Sequence, residues 1–379
     1  MKILLVGNRL DIFAKELGGE LADKGHDVYF LDTANLEIIS WDSEATQRQY
    51  ALRFQLFKRI PKINVLVKLF LISKILNKSG FDVVNILGVG WHYVLLLLWM
   101  DRHTGVVLTF YGSDFYRSGR WAKKVLIPLY KRSHAVTFTN PATKASFLKY
   151  YQRFEEKCHV CRFGLKTLDF IDKNRSVNRT EIRKHLGYDQ NRVIVTCGYN
   201  ATSAQQHEII IECIKRLPKK VQDAMQFVFP LTYGDAVHKE KVKAILHGSS
   251  FNYLVLEEFL YADENAYIKL ASDIMINILQ TDSFSGSMQE FLYARNVVIT
   301  GNWLPYALFD SSGIVYEKID KPQALTSKLA ECYERFEELR KKSGVNEAII
   351  RYFSSWSVTI AQWLAVYTYV SAESAKGKK

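Results

Sequence analysis

The amino-acid sequence predicts an α/β fold in which two Rossmann-like domains face a central cleft. The chain has 379 residues, which exceeds the usual size of one domain. Short apolar runs alternate with amphipathic stretches, and this alternation is typical of a parallel sheet covered by helices on both faces. The alternation stops in a polar stretch near residues 165–190 and then begins again, so we expect the chain to divide there.

The first domain is expected at residues 1–165, with strands at the apolar runs of this half of the chain. A helix fits the amphipathic stretch "AKELGGELADKG", because it ends at Gly25 and helices often end at glycine. The strand runs, in chain order, are "KILLVGN", "DVYFLD", "DVVNILGV", "GVVLTFYGSD", "AVTFTN" and "CHVCRFG".

The second domain is expected at residues 190–350. Helices are predicted from about Ala204 to Leu217 and from Gly286 onward. A last helical segment, from Glu347 to about Ser371, is rich in Trp and Tyr, and residues 351–379 are predicted to cross back and pack on the first domain. The strand runs of this half are "VIVTCGYN", "QFVFPLTYG", "NYLVLEE", "DIMINIL", "NVVITG" and "GIVYEK".

The composition is that of a globular protein, with 48% apolar and 24% charged residues. No apolar run reaches the roughly 20 residues that a membrane-spanning helix needs. The start "MKILLVGN" fits a buried strand better than a secretion signal, whose apolar segment is longer. The five scattered cysteines suit a reduced protein. We therefore expect a cytoplasmic protein.

The net charge of +12 is unevenly placed along the chain. Between Ala45 and Phe81 there are eight Lys or Arg residues and no acidic residue, and apolar residues recur there at roughly helical spacing. A helix of this composition, over residues 48–78, is typical of contact with the anionic inner face of a membrane. The alternative that the basic face of this helix is only solvated is left open. A nucleic-acid partner is not supported, because the sequence has no nucleic-acid-binding signature. The candidate membrane-binding residues are Arg53, Lys58, Arg59, Lys62 and Lys68.

The stretch "TDSFSGSMQE" follows the predicted strand "DIMINIL" and carries the strongest functional signal. Ligands of open parallel sheets bind beyond the carboxyl ends of the strands. Gly286 lets a ligand approach the backbone, and free N–H groups of Gly286, Ser287 and Met288 at the helix start suit a diphosphate. Asp282 then lies near a sugar, and Glu290 can accept hydrogen bonds from two vicinal ribose hydroxyls.

The pattern of Asp282, Phe284, Ser285, Gly286 and Glu290, followed by "ARNVVITG", resembles the E-x7-E region of the family 4 type of GT-B glycosyltransferases. In that family the first acid contacts the donor sugar, the backbone after it holds the diphosphate, and the second acid binds the ribose. The resemblance implies a GT-B fold and these roles for the matching residues. Two features depart from the pattern: Asp282 replaces a Glu, which shortens its reach, and one residue separates Phe284 from Gly286.

Other segments extend the resemblance over most of the chain. The turn at Gly25, His26 and Val28 is similar to the "GH-x-V" turn of the family. The stretch "LTFYGSD" is similar to its "HGSD" loop, with Tyr111 at the place of the His, and "HVCRFGLKTLDF" is similar to the segment that ends its N-terminal domain. The stretches "CGYNATSAQQHE" and "FVFPLTYGD" resemble the bacterial 4-acetamido-4,6-dideoxygalactose transferases of enterobacterial antigen assembly.

One departure concerns the positive charge that holds the diphosphate. Many family 4 enzymes use an Arg and a Lys after the strand that corresponds to "VIVTCG". Here Gly198 is followed by Tyr199 and Asn200, and the next base along the chain is His207. We expect His207, Arg162 or the helix N-terminus to supply the positive charge that the missing Arg and Lys would provide. The alternative that the site is wholly inactive is left open. The candidate donor-binding residues therefore include Gly198, Asn200, His207 and Arg162.

The resemblance implies a hexosyltransferase that moves a hexose or amino-deoxyhexose from a nucleotide diphosphate sugar, with retention of configuration. The acceptor it implies is a lipid-linked glycan or polysaccharide in bacterial cell-surface polysaccharide biosynthesis, reached at the cytoplasmic face of the membrane. No cofactor and no metal are expected, because no DxD-like pair follows a predicted strand. A helix N-terminus stabilises a leaving diphosphate without a metal.

The candidate catalytic residues are Asp282, Tyr111 and Asp114, and Asp114 is the candidate base if the reaction inverts configuration. The alternative that Asp282 only complements the dipole at a helix N-terminus, without contacting a substrate, is left open. Two other functions also stay open. One is a nucleotide-sugar 2-epimerase of the same fold, and the other is a non-catalytic scaffold associated with the membrane.

Overall fold

The computed structural model describes the chain at residues 1–7, 12–33, 37–40, 46–47, 61–91, 93–116, 119, 124–282 and 284–376. The chain forms two compact units. The first unit comprises Met1–Gly164 and Trp356–Lys379, and the second comprises Leu165–Ser355. Within the described parts of the chain, no helix is both long enough and apolar enough to cross a membrane.

The first unit is built on an eight-stranded sheet. Its strands are β1 Lys2–Gly7, β2 Asp27–Asp32, β3 Glu37–Ser40, β4 Thr46–Gln47, β5 Val83–Leu87, β6 Gly105–Phe110, β7 Ala135–Phe138 and β8 Cys158–Val160. Their order across the sheet is β4-β3-β2-β1-β5-β6-β7-β8. The six predicted strands are confirmed and pair in parallel. The antiparallel additions β3 and β4 were missed, because both are too short to show a strand pattern in the sequence.

The second unit is built on a six-stranded sheet in which every pair of strands is parallel. Its strands are β9 Val193–Cys197, β10 Met225–Pro230, β11 Tyr253–Leu256, β12 Ile274–Asn277, β13 Val297–Gly301 and β14 Glu317–Ile319. Their order is β11-β10-β9-β12-β13-β14. The six predicted strands are present, although the last one begins later than the run "GIVYEK" suggested.

Helices connect the strands of both sheets. Those of the first unit are α1 Ile12–Asp23, α2 Pro61–Ser79, α3 Tyr93–Trp99, α4 Ser113–Tyr116, α5 Ile127–Arg132 and α6 Pro141–Tyr151. Those of the second unit are α7 Lys166–Asn174, α8 Arg179–His185, α9 His207–Lys215, α10 Lys219–Asp223, α11 Ala236–His247, α12 Ala262–Ala271, α13 Gly286–Tyr293, α14 Ala307–Ser311, α15 Leu325–Glu334, α16 Phe336–Lys342 and α17 Asn346–Ser354. The last helix, α18 Trp356–Lys376, returns to the first unit. Short 3-10 turns cover Gln152–Lys157, Ser203–Gln205, Pro322–Ala324 and Ser343–Val345.

Alternate residues of β1 enter two different hydrophobic cores. Leu4 and Val6 pack in the core that includes α2 and α6, whereas Ile3 and Leu5 pack in the core that includes α1 and α18. Successive side chains of a strand point to opposite faces of its sheet, so helices cover this sheet on both sides. The predicted α/β class is therefore confirmed.

The C-terminal helix α18 is fixed to the first unit by buried aromatic residues. Trp363 and Tyr367 are wholly buried. Asn85 in β5 donates a hydrogen bond to the Tyr367 hydroxyl at 2.7 Å, and the Trp363 indole donates to the Arg162 carbonyl at 2.8 Å. The predicted return of the last helix to the first domain is confirmed.

The last helical segment is nevertheless two helices rather than one. Ser355 has an extended backbone, with φ of −81° and ψ of 140°, and this residue separates α17 from α18. The two helices belong to different units, so the chain returns to the first unit at this break. The prediction of one continuous helix from Glu347 to about Ser371 was therefore wrong, because local propensity does not show where one extended residue interrupts a helix.

The polar stretch expected to be a linker folds into α7 and α8, which both belong to the second unit. Arg179 and Arg183 each place a guanidinium nitrogen 2.6 Å from the carboxylate of Asp273, which is buried just before β12. The charges of this stretch therefore fasten α8 to the sheet. A run of polar residues in the sequence does not distinguish such ion pairs from a solvated linker.

Candidate functional site

The strand order of the second sheet reverses between the neighbouring strands β9 and β12. In open α/β sheets, ligands bind outside the carboxyl ends of the strands at such a reversal. The loops that follow these two strands contact each other. Gln206 Nε2 donates to the Ile278 carbonyl, and the Gln280 N–H donates to the Ala204 carbonyl at 2.9 Å. These two loops, with the first turns of α9 and α13, are called the crossover site below.

The loop after β9 begins with a left-handed glycine and is organised by an asparagine. Gly198 has φ of +71°, a conformation that favours glycine. The Asn200 side-chain oxygen accepts hydrogen bonds from the N–H and hydroxyl of Thr202 at 3.0 and 2.8 Å, and from Gln205 Nε2 at 3.2 Å. The structure thus places both predicted donor-binding residues in the site, but the Asn200 oxygen is used within the loop.

His207 is the first residue of α9, and its ring is wholly buried. Its Nδ1 lies 3.2 Å from Nε2 of His238 on α11. Burial, with a smaller contribution from His238, lowers the pKa of His207 to about 4. The ring is therefore neutral at pH 7, so His207 does not supply the positive charge that we expected it to supply in place of Arg and Lys.

Two polar atoms of this loop have no hydrogen-bond partner among the described residues: Nε2 of His207 and Oε1 of Gln205. Both atoms face the same glycine. A Cβ atom added to Gly198 would lie 2.8 Å from the Gln205 oxygen and 3.2 Å from the His207 nitrogen. Buried polar atoms rarely stay unsatisfied. The absence of a side chain at residue 198 therefore lets the Gln205 and His207 side chains pack closely against the backbone there.

The loop after β12 fixes Asp282 at the start of α13. The Asp282 carboxylate accepts hydrogen bonds from the Ser285 N–H at 2.8 Å and from the Tyr306 hydroxyl. The Phe284 ring packs on Phe309 with ring centroids 4.6 Å apart. Both hydrogen bonds reach the same carboxylate oxygen, Oδ2, and thereby fix Asp282 beside the helix N-terminus.

The helix α13 begins at Gly286, as the sequence predicts, and Ser285 is its N-cap. The Ser285 hydroxyl accepts a hydrogen bond from the Met288 N–H at 3.1 Å, so this N–H group is not free for a ligand as we expected. A Cβ atom at Gly286 would lie 3.1 Å from Leu165, so glycine permits this close packing. The Ser287 hydroxyl oxygen is buried and has no partner within the described residues.

Tyr199 joins the two loops of the crossover site. Burial raises the pKa of its phenol, and the Asp282 carboxylate adds to the rise. Hydrogen bonds with the side chains of Ser285 and Gln205 oppose the rise. One phenol therefore contacts the N-cap of α13 and the turn before α9, so that the two helix N-termini lie side by side.

Glu290 lies in α13, one turn beyond Gly286, and is buried in an ion pair. Its Oε2 atom is 3.1 Å from Lys269 Nζ and 3.2 Å from Asn265 Nδ2, both on α12. Burial lowers the pKa of Lys269, and Glu290 opposes this fall. One carboxylate oxygen of Glu290 is therefore already bound, and the predicted contact with two ribose hydroxyls falls mainly to the other oxygen.

Tyr111 and Asp114 lie in the first unit, in the connection after β6. The Tyr111 ring stacks on Phe163 with centroids 5.5 Å apart. The Asp114 carboxylate accepts backbone N–H groups of Val89, Gly112 and Phe115 at 3.1, 2.9 and 3.1 Å. Burial raises the pKa of Asp114, and these hydrogen bonds oppose the rise. The geometry favours a role for Asp114 in organising this loop over the role of a general base.

Arg162 is also in the first unit, at the end of β8, and it is buried. Its backbone N–H donates to the Gln362 side chain at 2.9 Å, and its carbonyl accepts the hydrogen bond from Trp363. Arg162 is therefore fixed by α18.

The predicted basic segment is described only in part. Arg53, Lys58, Arg59 and the side chain of Lys62 lie outside the described residues. Lys68 on α2 is half-buried: burial lowers its pKa, and Asp32 opposes this fall. Lys68 therefore does not present an isolated charge to solvent, as a membrane-binding residue would. Further along α2, Lys74 and Lys78 are exposed.

Apolar side chains are exposed beside these lysines. The rings of Phe70 on α2 and Trp99 on α3 meet edge to face, with centroids 5.8 Å apart. Leu98 is 69% exposed. The α2–α3 apolar surface is defined here by Leu66, Phe70, Leu98 and Trp99, which are all exposed. An apolar contribution was predicted for residues 48–78, whereas that of α3 was missed.

Proteins of known structure share this fold over nearly the whole chain. The structure of a glycosyltransferase from Rickettsia africae ESF-5 matches with a TM-score of 0.74 and 17% sequence identity, covering 97% of this chain and 98% of that one. The fold is GT-B. The GT-B structure of Anabaena Alr3699/HepE in complex with UDP and glucose matches with a TM-score of 0.70 and 12% identity, covering 96% of this chain and 98% of that one.

A third GT-B structure, sucrose-phosphate synthase from Thermosynechococcus elongatus, matches with a TM-score of 0.72 and 13% identity, over 98% of this chain and 100% of that one. The sequence model described as Glycosyltransferase Family 4 matches residues 11–167, which lie almost wholly in the first unit. No curated protein sequence matches the chain. The predicted fold is therefore confirmed.

Sequence reasoning missed the side chains that hold the site residues in place. Asn265 and Lys269 stand four residues apart, so both reach the same side of α12. That spacing was a usable signal. His238 and Tyr306 gave no local signal, because each belongs to an element distant in sequence from the residue it contacts.

We predict that the His207→Gln variant loses less stability in acid than the native protein. The folded pKa of His207 is about 4, below its ordinary value of 6.5, so the unfolded chain binds the proton more readily. The contribution to stability is full above pH 6.5 and is lost as the pH falls toward 4. Because the unfolded chain takes up the His207 proton first, the free energy of unfolding of the native protein should fall by about 2–3 kcal/mol when the pH is lowered from about 7.5 to about 4.5.

Urea unfolding at both pH values measures this difference. The exposed His247 supplies the matched control, since His247→Gln should keep the acid-side loss of the native protein. An equal loss in the native and His207→Gln proteins would contradict the description of His207 as a buried neutral ring.

Proposed function

We propose that this protein is a glycosyltransferase that transfers a sugar from a nucleotide diphosphate sugar. The observation that carries the proposal is the crossover site, where two helix N-termini meet beside unsatisfied polar atoms at the reversal of strand order. The GT-B fold and the family model match over residues 11–167 support the same function. The complex of Anabaena Alr3699/HepE with UDP and glucose supports a nucleotide diphosphate sugar as donor.

The proposed donor lies along the first turn of α13. The backbone at Gly286 and Ser287 binds the diphosphate, because the first N–H groups of a helix have no intrahelical partner and its N-terminus carries partial positive charge. Glu290 accepts a ribose hydroxyl through its second carboxylate oxygen. Asp282, held by Tyr306 and the Ser285 N–H, contacts the transferred sugar. We propose transfer of a hexose or amino-deoxyhexose with retention of configuration.

Stabilisation of the leaving diphosphate requires preorganised dipoles at the atoms where negative charge develops. The N-termini of α9 and α13 supply such dipoles, and Tyr199 holds them together. We therefore propose turnover without a metal ion and without an organic cofactor.

The proposed acceptor is a lipid-linked glycan of bacterial cell-surface polysaccharide, reached at the cytoplasmic face of the membrane. The α2–α3 apolar surface, with exposed Lys74 and Lys78 on the same helix as Phe70, supports contact with an anionic lipid surface. The resemblance to the 4-acetamido-4,6-dideoxygalactose transferases is consistent with this class of acceptor. We propose no nucleic-acid partner.

We predict that Glu290→Gln weakens nucleotide binding by about tenfold or more, because a hydrogen bond to a charged group contributes about 1.5–3 kcal/mol. The wild type is first screened by thermal shift against UDP, GDP and dTDP sugars, and titration calorimetry then compares the variants. Glu240→Gln is the matched control, since Glu240 is exposed and also pairs with a lysine. Unchanged affinity in the Glu290 variant would favour the non-catalytic scaffold. Conversion of the nucleotide sugar without acceptor would favour the 2-epimerase.

We predict that the protein sediments with anionic liposomes and that the bound fraction falls as salt rises, because salt screens surface charge. Leu98→Ser should lower the partition by about tenfold, the effect of withdrawing one buried leucine side chain. Val237→Ser, at a residue 81% exposed in the second unit, is the control and should leave the partition unchanged. Equal partition onto neutral and anionic liposomes would contradict the electrostatic part of the proposal.

A further inference from the structure

Lys269 on α12 is a lysine whose side chain is buried against Glu290. The side chain of Lys269 is 3% exposed, that of Glu290 is 9% exposed, and Lys269 Nζ lies 3.1 Å from Glu290 Oε2. Lysine and glutamate are almost never fully buried unless they are paired. A buried ion pair is nevertheless weak evidence for stability, because apolar residues of similar volume often stabilise a protein as well or better. The pair therefore points to a role beyond the stability of the fold.

The ammonium group of Lys269 is held from three sides, which matches its three N–H donors. Besides Glu290 Oε2, it donates a hydrogen bond to the side-chain oxygen of Asn265, one turn earlier on α12. It also lies 5.1 Å from the centre of the Phe291 ring, within the range of a cation–π interaction. The position of the positive charge beside Glu290 is therefore fixed.

The orientation of the Asn265 amide follows from this lysine. An ammonium group only donates hydrogen bonds, so the end of Asn265 that meets Lys269 must be the oxygen Oδ1. The other end is the NH₂ group, which donates to Glu290 Oε2 at 3.2 Å. Glu290 Oε2 thus accepts hydrogen bonds from two donors, neither of which can accept. A proton on this oxygen would point at a donor, so the geometry requires Oε2 to be unprotonated.

The charge of Glu290 depends on Lys269 in particular. Among the described residues, Lys269 is the cation paired with Glu290. Tyr233, in the loop after β10, also interacts electrostatically with Glu290, but burial raises the pKa of its phenol, so Tyr233 stays neutral below its ordinary range of titration. From α7, Thr167 offers a hydroxyl oxygen 3.5 Å from Asn265 Nδ2 and carries no charge. Removal of Lys269 would therefore leave a buried carboxylate without a counter-ion.

We propose that Lys269 is a positioning residue for donor binding: it keeps Glu290 ionised and fixes Oε2, so that the carboxylate presents a charged acceptor to the donor ribose. This inference rests on the proposed function, because that function assigns Glu290 to the ribose. Lys269 acts through Glu290 and does not itself contact the donor. The inference also explains why a lysine is buried beside this glutamate.

The first test measures the binding of UDP-glucose, GDP-glucose and dTDP-glucose to the native protein and to Lys269→Met, at about pH 6 and about pH 9. These probes have no phosphate monoester that titrates between the two pH values. Without Lys269, the buried Glu290 takes up a proton at the lower pH, and its hydrogen bond to the ribose is no longer charge-assisted. Lys269→Met should bind the preferred probe about tenfold more weakly than the native protein at the lower pH. Most of this loss should disappear at the higher pH.

Lys328→Met is the matched control. Lys328 on α15 also lies 3.1 Å from a glutamate oxygen, that of Glu317 in the edge strand β14. This variant should bind the preferred probe as the native protein does at both pH values. Unchanged affinity in Lys269→Met at both pH values would overturn the inference. A loss of equal size at both pH values would also overturn it, because a general distortion of the site would then explain the loss.

A second measurement needs no ligand and compares urea unfolding of Lys269→Met with that of the double variant Lys269→Met/Glu290→Gln. In Lys269→Met the folded chain should bind a proton more readily than the unfolded chain, so folding becomes more favourable as the pH falls. The single variant should unfold at a lower urea concentration than the double variant at about pH 9, and the two should converge at about pH 6. A single variant that folds only at the lower pH would support the inference equally.

A difference between the single and double variants that does not change with pH would overturn the inference, since Glu290 would not depend on Lys269 for its charge. Failure of the native protein to bind any of the three probes would instead count against the proposed function for these donors. The unfolding measurement would still decide whether Lys269 keeps Glu290 ionised.

Discussion

The reversal of strand order between β9 and β12 is the constraint on which the candidate site depends. Crossover connections in parallel sheets are right-handed, so the chain leaves these two strands toward opposite faces of the sheet. The loops after the strands are nevertheless neighbours, and hydrogen bonds from Gln206 to Ile278 and from Gln280 to Ala204 join them. This arrangement brings the N-termini of α9 and α13 together without any special sequence at the strands themselves.

The electrostatics of the site follow from these helix N-termini rather than from basic side chains. Each helix N-terminus carries roughly half a positive charge, so two of them offset about half of the charge of a diphosphate. Lys269 is already paired with Glu290 and is almost completely buried. His207 is neutral. The positive potential of the site therefore comes from backbone dipoles, which suit phosphate, rather than from charged side chains.

The sequence predicted the strands of both sheets and the start of α13, because hydrophobic runs and a Ser-Gly pair are local signals. It also placed Asp282 and Glu290 correctly relative to that helix. The contacts that define what these residues do were not predictable, since Lys269, His238 and Tyr306 come from other elements. The same reason explains the errors. Ion pairs to Asp273 made a polar stretch part of the second unit, and one extended residue, Ser355, divided the last predicted helix.

The most direct test of the account is a crystal structure of the protein with the nucleoside diphosphate that binds most tightly. The account predicts diphosphate oxygens within hydrogen-bond distance of the backbone N–H groups at Gly286 and Ser287, and a ribose hydroxyl on Glu290. A diphosphate bound away from α13 would contradict the account.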